Sequence, residues 1–212
     1  MIEKILDIIF PKCCGICKRL YKTWVCPKCY YNLKEECKYI KINEKDFCIY
    51  CIGKYEKKIR KLILKFKFRE EAYLAGTFAE IIGKNEKFVQ NLKRYDYIVP
   101  VPMYIENKNI RGYNQTELLA KRIKESLGID YIQDALIKAK QNKKQSSLSE
   151  KERAENVKDV YRLQNSEKLK NKKILLLDDI YTTGSTIKAC REELVKSEAD
   201  KIDVLVLAKR KI

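Results

Sequence analysis

The chain has 212 residues, of which 45% are hydrophobic and 35% charged, and its formal net charge is +17. This length and apolar content suit one medium domain with a small additional module, or one irregular domain. No apolar run reaches the roughly 20 residues that a membrane span needs. Histidine is absent, which excludes mechanisms and metal sites that depend on imidazole. The positive charge favours a polyanionic partner, although a generally lysine-rich composition gives the same number without one.

The first ten residues predict a short amphipathic helix. Apolar residues recur there at helical spacing, with Glu3 and Asp7 between them. The acids, and the lack of a small-residue cleavage site, argue against a secretory signal. We therefore expect a helix that docks on the protein's own core, and a cytoplasmic location.

Eight of the nine cysteines precede residue 52. Two pairs with a spacing of two residues, Cys14/Cys17 and Cys26/Cys29, are separated by eight residues. Each such turn aims two thiolates at one ion, and two turns complete a tetrahedral zinc site. A disulfide framework is the alternative, but it would need an oxidising compartment. Four thiolates leave no open coordination position, so we predict a structural zinc ion.

Cys37, Cys48 and Cys51 are candidates for a second metal site. Cys48 and Cys51 repeat the two-residue spacing and Cys37 offers a third ligand, but Ile40 stands where a fourth cysteine is expected. Cys13, which is adjacent to the first site in the sequence, is a candidate for this missing fourth ligand. The alternative is that the three are buried or spare thiols.

The rest of the chain alternates helical and strand patterns. Helices are predicted from residue 57, over 72–82, after Asn114 and over 186–196, and buried strands over 97–99, 173–177 and 202–207. The polar stretch 138–158 predicts a loop or an exposed helix. Strand, helix and strand in succession indicate an α/β fold with a right-handed parallel crossover. We divide the chain into a module over 1–55 and a larger domain over 56–212.

One motif carries chemistry. The apolar strand 173–177 runs into Asp178 and Asp179, then into a small-residue loop and a helix. Adjacent acids at the carboxyl edge of a sheet are costly unless they accept hydrogen bonds from hydroxyls or neutralise a cation. The loop offers backbone N–H groups, hydroxyls and a helix N-terminus, which together form a phosphate nest. Its residues are Thr182, Thr183, Gly184, Ser185 and Thr186.

This motif resembles the phosphoribosyl pyrophosphate (PRPP) motif of type I phosphoribosyltransferases, and nearly the whole chain resembles the ComF competence proteins. The cysteine-rich start looks like that family's zinc ribbon. Four further segments carry the resemblance: 65–68, Val99-Pro100-Val101-Pro102, 111–115 and, between residues 145 and 157, Gln145, Leu148-Ser149, Arg153 and Asn156-Val157. Two departures stand out: the double ribbon keeps only Cys37 in its third pair, and Met103 replaces an acid that follows Pro-Val-Pro in glutamine amidophosphoribosyltransferases.

The resemblance implies a type I phosphoribosyltransferase-like parallel sheet flanked by helices, with a small zinc ribbon at the N-terminal end. It implies that PRPP binds with Mg²⁺, its 5-phosphate in the loop 182–186 and its ribose hydroxyls on Asp178 and Asp179. Val101 would belong to the pyrophosphate loop. Candidate phosphate contacts are Lys67, Arg111 and Arg153.

The resemblance also implies a role in natural transformation, with PRPP, single-stranded DNA and a DNA-uptake helicase as expected partners. Two interpretations stay open. The domain is a phosphoribosyltransferase, or it is a non-catalytic protein that binds single-stranded DNA or senses PRPP on a retained fold.

Overall fold

The structure is a computed structural model that describes residues 13–68, 71–106, 109, 112–140 and 160–210. Its centre is a six-stranded sheet, whose strands are β1 (Cys37–Asn43), β2 (Cys48–Lys54), β3 (Tyr97–Pro100), β4 (Asp130–Tyr131), β7 (Lys173–Tyr181) and β8 (Lys201–Lys209). Their order in the sheet is β1-β2-β8-β7-β3-β4. All neighbours pair in parallel except β1 and β2, which form an antiparallel hairpin.

Helices cover both faces of the sheet, because β7 and β8 are apolar on both sides. Leu175 and Leu177 of β7 face a core built with the four helices between residues 57 and 127, whereas Ile174 and Leu176 face a core built with the helix that follows β7. The described helices are α1 (Pro27–Lys34), α2 (Lys57–Phe68), α3 (Leu74–Gly83), α4 (Glu86–Leu92), α5 (Gln115–Leu127) and α6 (Ser185–Val195). A small hairpin of β5 (Leu136–Lys138) and β6 (Tyr161–Leu163) packs on the α6 side.

Local signals in the sequence position several of these elements correctly. Asn114 caps α5, since its side chain accepts a hydrogen bond from the backbone N–H of Thr116, and Gly128 ends the helix in the left-handed conformation at φ 74°. The predicted helices over 72–82 and 186–196 correspond to α3 and α6, and β7 and α6 are followed by the parallel neighbour β8. The observed β7 extends to Tyr181, beyond the predicted end at residue 177.

The hairpin of β1 and β2 was not predicted. Both strands lie in the cysteine-rich module over 1–55, yet β2 pairs with β8, from Ile49 opposite Val204 to Lys54 opposite Lys209. The sheet therefore continues across the predicted boundary at residue 55, and the division into two domains stays a prediction. The predicted N-terminal helix and most of the predicted loop 138–158 lie outside the described residues. Among the described residues, every helix is too short or too polar to cross a bilayer.

Candidate functional site

The two acids lie side by side near the end of β7. Their strand is buried over Ile174–Leu177, and the chain then reaches a cleft of about 360 Å³ that both acids line. Successive residues of a strand project to opposite faces, so the two carboxylates meet different neighbours. Asp179 Oδ2 lies 2.7 Å from Nζ of Lys67, which belongs to α2 on one face. Asp178 Oδ1 accepts a hydrogen bond of 2.8 Å from the backbone N–H of Asp179.

The environment of Asp178 disfavours its charge. Burial is the largest cause and the adjacent Asp179 the second, and together they raise the pKa of Asp178 to about 7. The backbone N–H of Asp179 and the ammonium groups of Lys67 and Lys138 oppose this rise. A carboxylate held in this way gains most from a ligand that brings hydroxyl donors or a cation. The acid pair therefore fits the requirements of a sugar diol and of a divalent metal ion.

The loop after the acids opens at the same cleft. Thr182 and Thr186 line the cavity, and the hydroxyls of Thr183 and Ser185 lie 2.9 Å apart. Gly184 adopts the left-handed conformation at φ 79° directly before α6, where a side chain would be strained and would also lie 2.8 Å from the hydroxyl of Tyr181. The predicted nest is thus a polar turn at a helix N-terminus, with hydroxyls and unpaired helical N–H groups available to an anion.

The opposite wall comes from the segment after β3 and from the start of α5. Val101, Pro102 and Met103 line the cleft, and the carbonyl of Val101 accepts a 2.7 Å hydrogen bond from the hydroxyl of Thr116. The amide of Asn114 donates to the same carbonyl at 3.4 Å. The helix cap of α5 therefore also fixes the loop predicted to bind pyrophosphate.

The residues before α5 fix Lys67 as well. The hydroxyl of Tyr113 donates to the carbonyl of Phe66 at 2.9 Å, and the amide of Gln115 donates to the carbonyl of Lys67 at 3.4 Å. Carbonyls in the last turn of a helix have no partner within the helix, and these side chains satisfy two of them. The segment 113–116 thereby joins the end of α2 to the Val101 loop, which explains why a polar sequence is needed there.

Two titratable residues of the cleft were missed from the sequence. Lys138 ends β5 and Tyr161 begins β6, and both line the cavity beside Asp178. Burial lowers the pKa of Lys138, although Cys190 and Asp178 act in the opposite direction. Burial also raises the pKa of Tyr161. Neither strand has more than three residues, so no periodicity in the sequence could reveal the hairpin that brings them to the site.

Of the three predicted phosphate contacts, Lys67 lies in the cleft. Arg111 and Arg153 lie outside the described residues, as do Gln145, Leu148, Ser149, Asn156 and Val157. Their roles stay predictions.

The predicted zinc ligands lie together. The sulfur atoms of Cys14, Cys17, Cys26 and Cys29 are all within 4.8 Å of one another, and those of Cys17 and Cys26 are 3.9 Å apart. A tetrahedral zinc site with Zn–S bonds of about 2.3 Å separates its sulfur atoms by about 3.8 Å. This cluster can therefore hold such an ion.

Cys14, the first thiol of the cluster, has a pKa below that of an ordinary cysteine. Burial would raise the pKa of Cys14, but backbone N–H groups, that of Cys26 foremost, outweigh it and lower this pKa to about 6. The N–H of Cys26 lies 3.4 Å from Cys14 Sγ. Burial and the neighbouring thiols raise the pKa of Cys29 instead. One negative charge is thus stabilised by the fold, and further thiolates need a cation among them.

The structure does not bring the second set of cysteines together, which corrects the hypothesis of a second metal site. Cys48 and Cys51 lie in β2, where two residues with two others between them project to opposite faces of the sheet. Cys51 packs in the core on the α6 side and its thiol donates to the carbonyl of Gly53 at 2.8 Å, whereas Cys37 and Cys48 pack on the other side. Burial raises the pKa of Cys37 to about 12 and that of Cys51 to about 11. Cys51 is thus a buried thiol, and Cys37 and Cys48 are partly buried thiols, which agrees with the alternative. Cys13 forms an isolated bridge with Leu20.

Comparison with known proteins gives the family. A family described as "Phosphoribosyl transferase domain" matches residues 112–212. Competence protein F of Haemophilus influenzae is 32% identical over 162 residues, which are 74% of this chain and 71% of that protein. The DNA utilization protein YhgH of Escherichia coli K12 is 24% identical over 161 residues, which are 74% of this chain and 70% of that protein.

Among solved structures, the glutamine PRPP amidotransferase of B. subtilis matches with a TM-score of 0.47 and 14% identity, over 68% of this chain and 30% of that one. The mostly parallel sheet, the phosphoribosyltransferase match and the cluster of four cysteines agree with the similarity to competence protein F. The chain is a member of the ComF (competence protein F) family, with a type I phosphoribosyltransferase-like fold.

Proposed function

We propose that the cleft at the end of β7 binds PRPP together with Mg²⁺. The observation that carries this proposal is the arrangement of Asp178 and Asp179 beside the polar loop 182–186 on one wall of a single cavity. The loop amides and hydroxyls bind the 5-phosphate, and the two carboxylates accept hydrogen bonds from the ribose hydroxyls. The loop 101–103 faces the pyrophosphate on the opposite wall.

The chain's own residues suit a reaction in which pyrophosphate leaves the sugar. Negative charge then grows on the leaving group, and Lys67 and Lys138 bring two ammonium groups to the cleft that holds the acid pair. Asp178 and Asp179 would help to hold Mg²⁺, which would supply positive charge to neutralise the leaving pyrophosphate. The chemistry requires no imidazole base, in agreement with a chain that has no histidine.

Calorimetry with PRPP and Mg²⁺ tests the binding. Asp178→Asn combined with Asp179→Asn should abolish Mg²⁺-dependent binding, while Asp200→Asn, an exposed acid after α6, should leave it unchanged. Circular dichroism verifies the fold of each variant. A double variant that binds PRPP as tightly as the original protein would show that the acids do not hold the sugar. Release of pyrophosphate with candidate acceptors then decides between an enzyme and a PRPP sensor.

A second candidate function is binding of single-stranded DNA during DNA uptake in the cytoplasm, in contact with an uptake helicase. The net charge of +17 and the similarity to a DNA utilization protein favour it. Affinity for an oligonucleotide should fall steeply with added salt, since lysine contacts to phosphates release counterions. PRPP binding should instead depend on Mg²⁺ and on the acid pair. No measurable affinity for DNA at low salt would remove this function.

A further inference from the structure

A second cavity lies between the cysteine-rich module and the helices α3 and α5. It has a volume of about 420 Å³, which is within the range of small-molecule sites. Residues 22–24 form one side, α3 a second and the last turns of α5 a third. It shares no lining residue with the cleft that contains Asp178.

Trp24, the only tryptophan of the chain, lies in this cavity. Its ring rests on α3 at Gly76, where a Cβ atom would lie 2.5 Å from Cδ2 and 2.6 Å from Cε2 of the indole. The glycine therefore lets a large aromatic ring lie flat against the helix. The guanidinium of Arg122 lies over the ring, 5.1 Å from its centre. The helix and the guanidinium hold the indole in place and cover part of it, but the ring is only half-buried, so its uncovered part can contact another planar ring.

The cavity also carries groups for a phosphate and for polar ring edges. Arg122 Nη1 pairs with Glu125 at 2.6 Å and Lys84 pairs with Glu80 at 2.6 Å, so two cations are held in the walls. Arg122 keeps further N–H donors beyond this bond. Lys22 is exposed and forms no ion pair with any other described residue. Glu125 can accept a hydrogen bond from an exocyclic amino group.

We propose that this cavity binds a mononucleotide, with the base against Trp24 and the phosphate on Lys22 and Arg122. An aromatic platform alone would suit many apolar ligands, and cations alone would suit any anion. The two together, in a cavity lined by both acids and bases, select a planar polar ring that carries a negative charge. The site is separate from the PRPP cleft and does not depend on the function proposed for that cleft.

The single tryptophan makes the test direct. Trp24 fluorescence is titrated with AMP, GMP, CMP and UMP, with N-acetyltryptophanamide as the correction for light that the nucleotides absorb. The protein carries Asp178→Asn and Asp179→Asn, so that binding in the other cleft cannot contribute. At least one nucleotide should change the fluorescence in a saturable way, and Arg122→Met should weaken that binding by roughly tenfold or more because a charge-assisted hydrogen bond is lost. Lys22→Met should weaken it as well.

Arg94→Met, at an exposed arginine outside the cavity, is the matched control and should bind as before. The absence of a saturable change with every nucleotide would overturn the proposal, as would equal binding by Arg122→Met. Equal affinity for the nucleoside without phosphate would also overturn it. A single-stranded oligonucleotide that binds where no mononucleotide does would assign the cavity to nucleic acid instead.

Discussion

Nζ of Lys67 lies 2.7 Å from Oδ2 of Asp179, and this ion pair joins the last turn of α2 to the strand that carries the acid pair. Lys67 also lowers the pKa of Asp178. One lysine from a distant part of the sequence thus pairs with one acid and favours the charged form of the other.

Lys67→Met should therefore raise the pKa of Asp178 above its value of about 7. Mg²⁺-dependent PRPP binding needs the carboxylates, so its lower pH limit should move upward and its affinity at pH 7 should fall by about tenfold or more. Calorimetry across a pH series measures both effects. Lys61→Met, an exposed lysine of the same helix, serves as the control. An unchanged pH profile for Lys67→Met would contradict the coupling.

Asp178→Asn should stabilise the ligand-free protein at alkaline pH. The folded pKa of about 7 lies above the ordinary value of 3.8, so the folded state keeps a proton that the unfolded state releases between these values. Stability is therefore lost as the pH rises from about 4 to about 7, and the loss is complete above 7. Its size is on the order of 2–4 kcal/mol. Urea unfolding should show that the variant is more stable than the original protein at pH 8, and that this difference in unfolding free energy shrinks towards pH 4. An equal difference in unfolding free energy at pH 8 and at pH 4 would disprove the pKa shift.

The cluster of four cysteines leads us to expect a definite zinc content. Purified protein should contain one zinc ion per chain, and Cys17→Ser should lose it with a lower melting temperature, because the metal contributes folding free energy to the module. Cys37→Ser and Cys48→Ser should keep the full zinc content, since neither lies in the cluster. Metal analysis by mass spectrometry measures each. A second equivalent of zinc that disappears with Cys37→Ser would restore the second site.

We expect a substitution of Asp203 to lower stability without changing PRPP binding. This fully buried carboxylate in β8 accepts from the N–H of Cys48 at 2.7 Å and from the hydroxyl of Tyr95, and it pairs with Lys201 at 2.9 Å. Asp203→Ala leaves buried donors unpaired and should cost roughly 3–5 kcal/mol of unfolding free energy. PRPP affinity of the folded fraction should not change. Urea unfolding and calorimetry separate the two quantities, and a loss of affinity without a loss of stability would refute the structural role.

The acid pair and the loop after it could be predicted because one continuous segment contains a strand, its turn and its helix. The other contributors to the cleft come from elsewhere in the chain. Lys138 arrives on a three-residue strand, whose pairing with Tyr161 depends on tertiary contacts. The spacing of Cys48 and Cys51 suggested a metal turn, but the same spacing in a strand separates the thiols. The segment from Cys48 to Cys51 forms a strand and not a turn because β2 pairs with β8, and no local signal in the sequence encodes this pairing.

The pairing of β2 with β8 also bears on how the protein is made. The cysteine turns and the β1–β2 hairpin leave the ribosome early, yet β2 finds its partner only after Lys209 has been synthesised. Until then the backbone edge of β2 that pairs with β8, from Ile49 to Lys54, has no neighbouring strand. A zinc ion acquired at this stage would keep the nascent segment folded while it waits for the last strand.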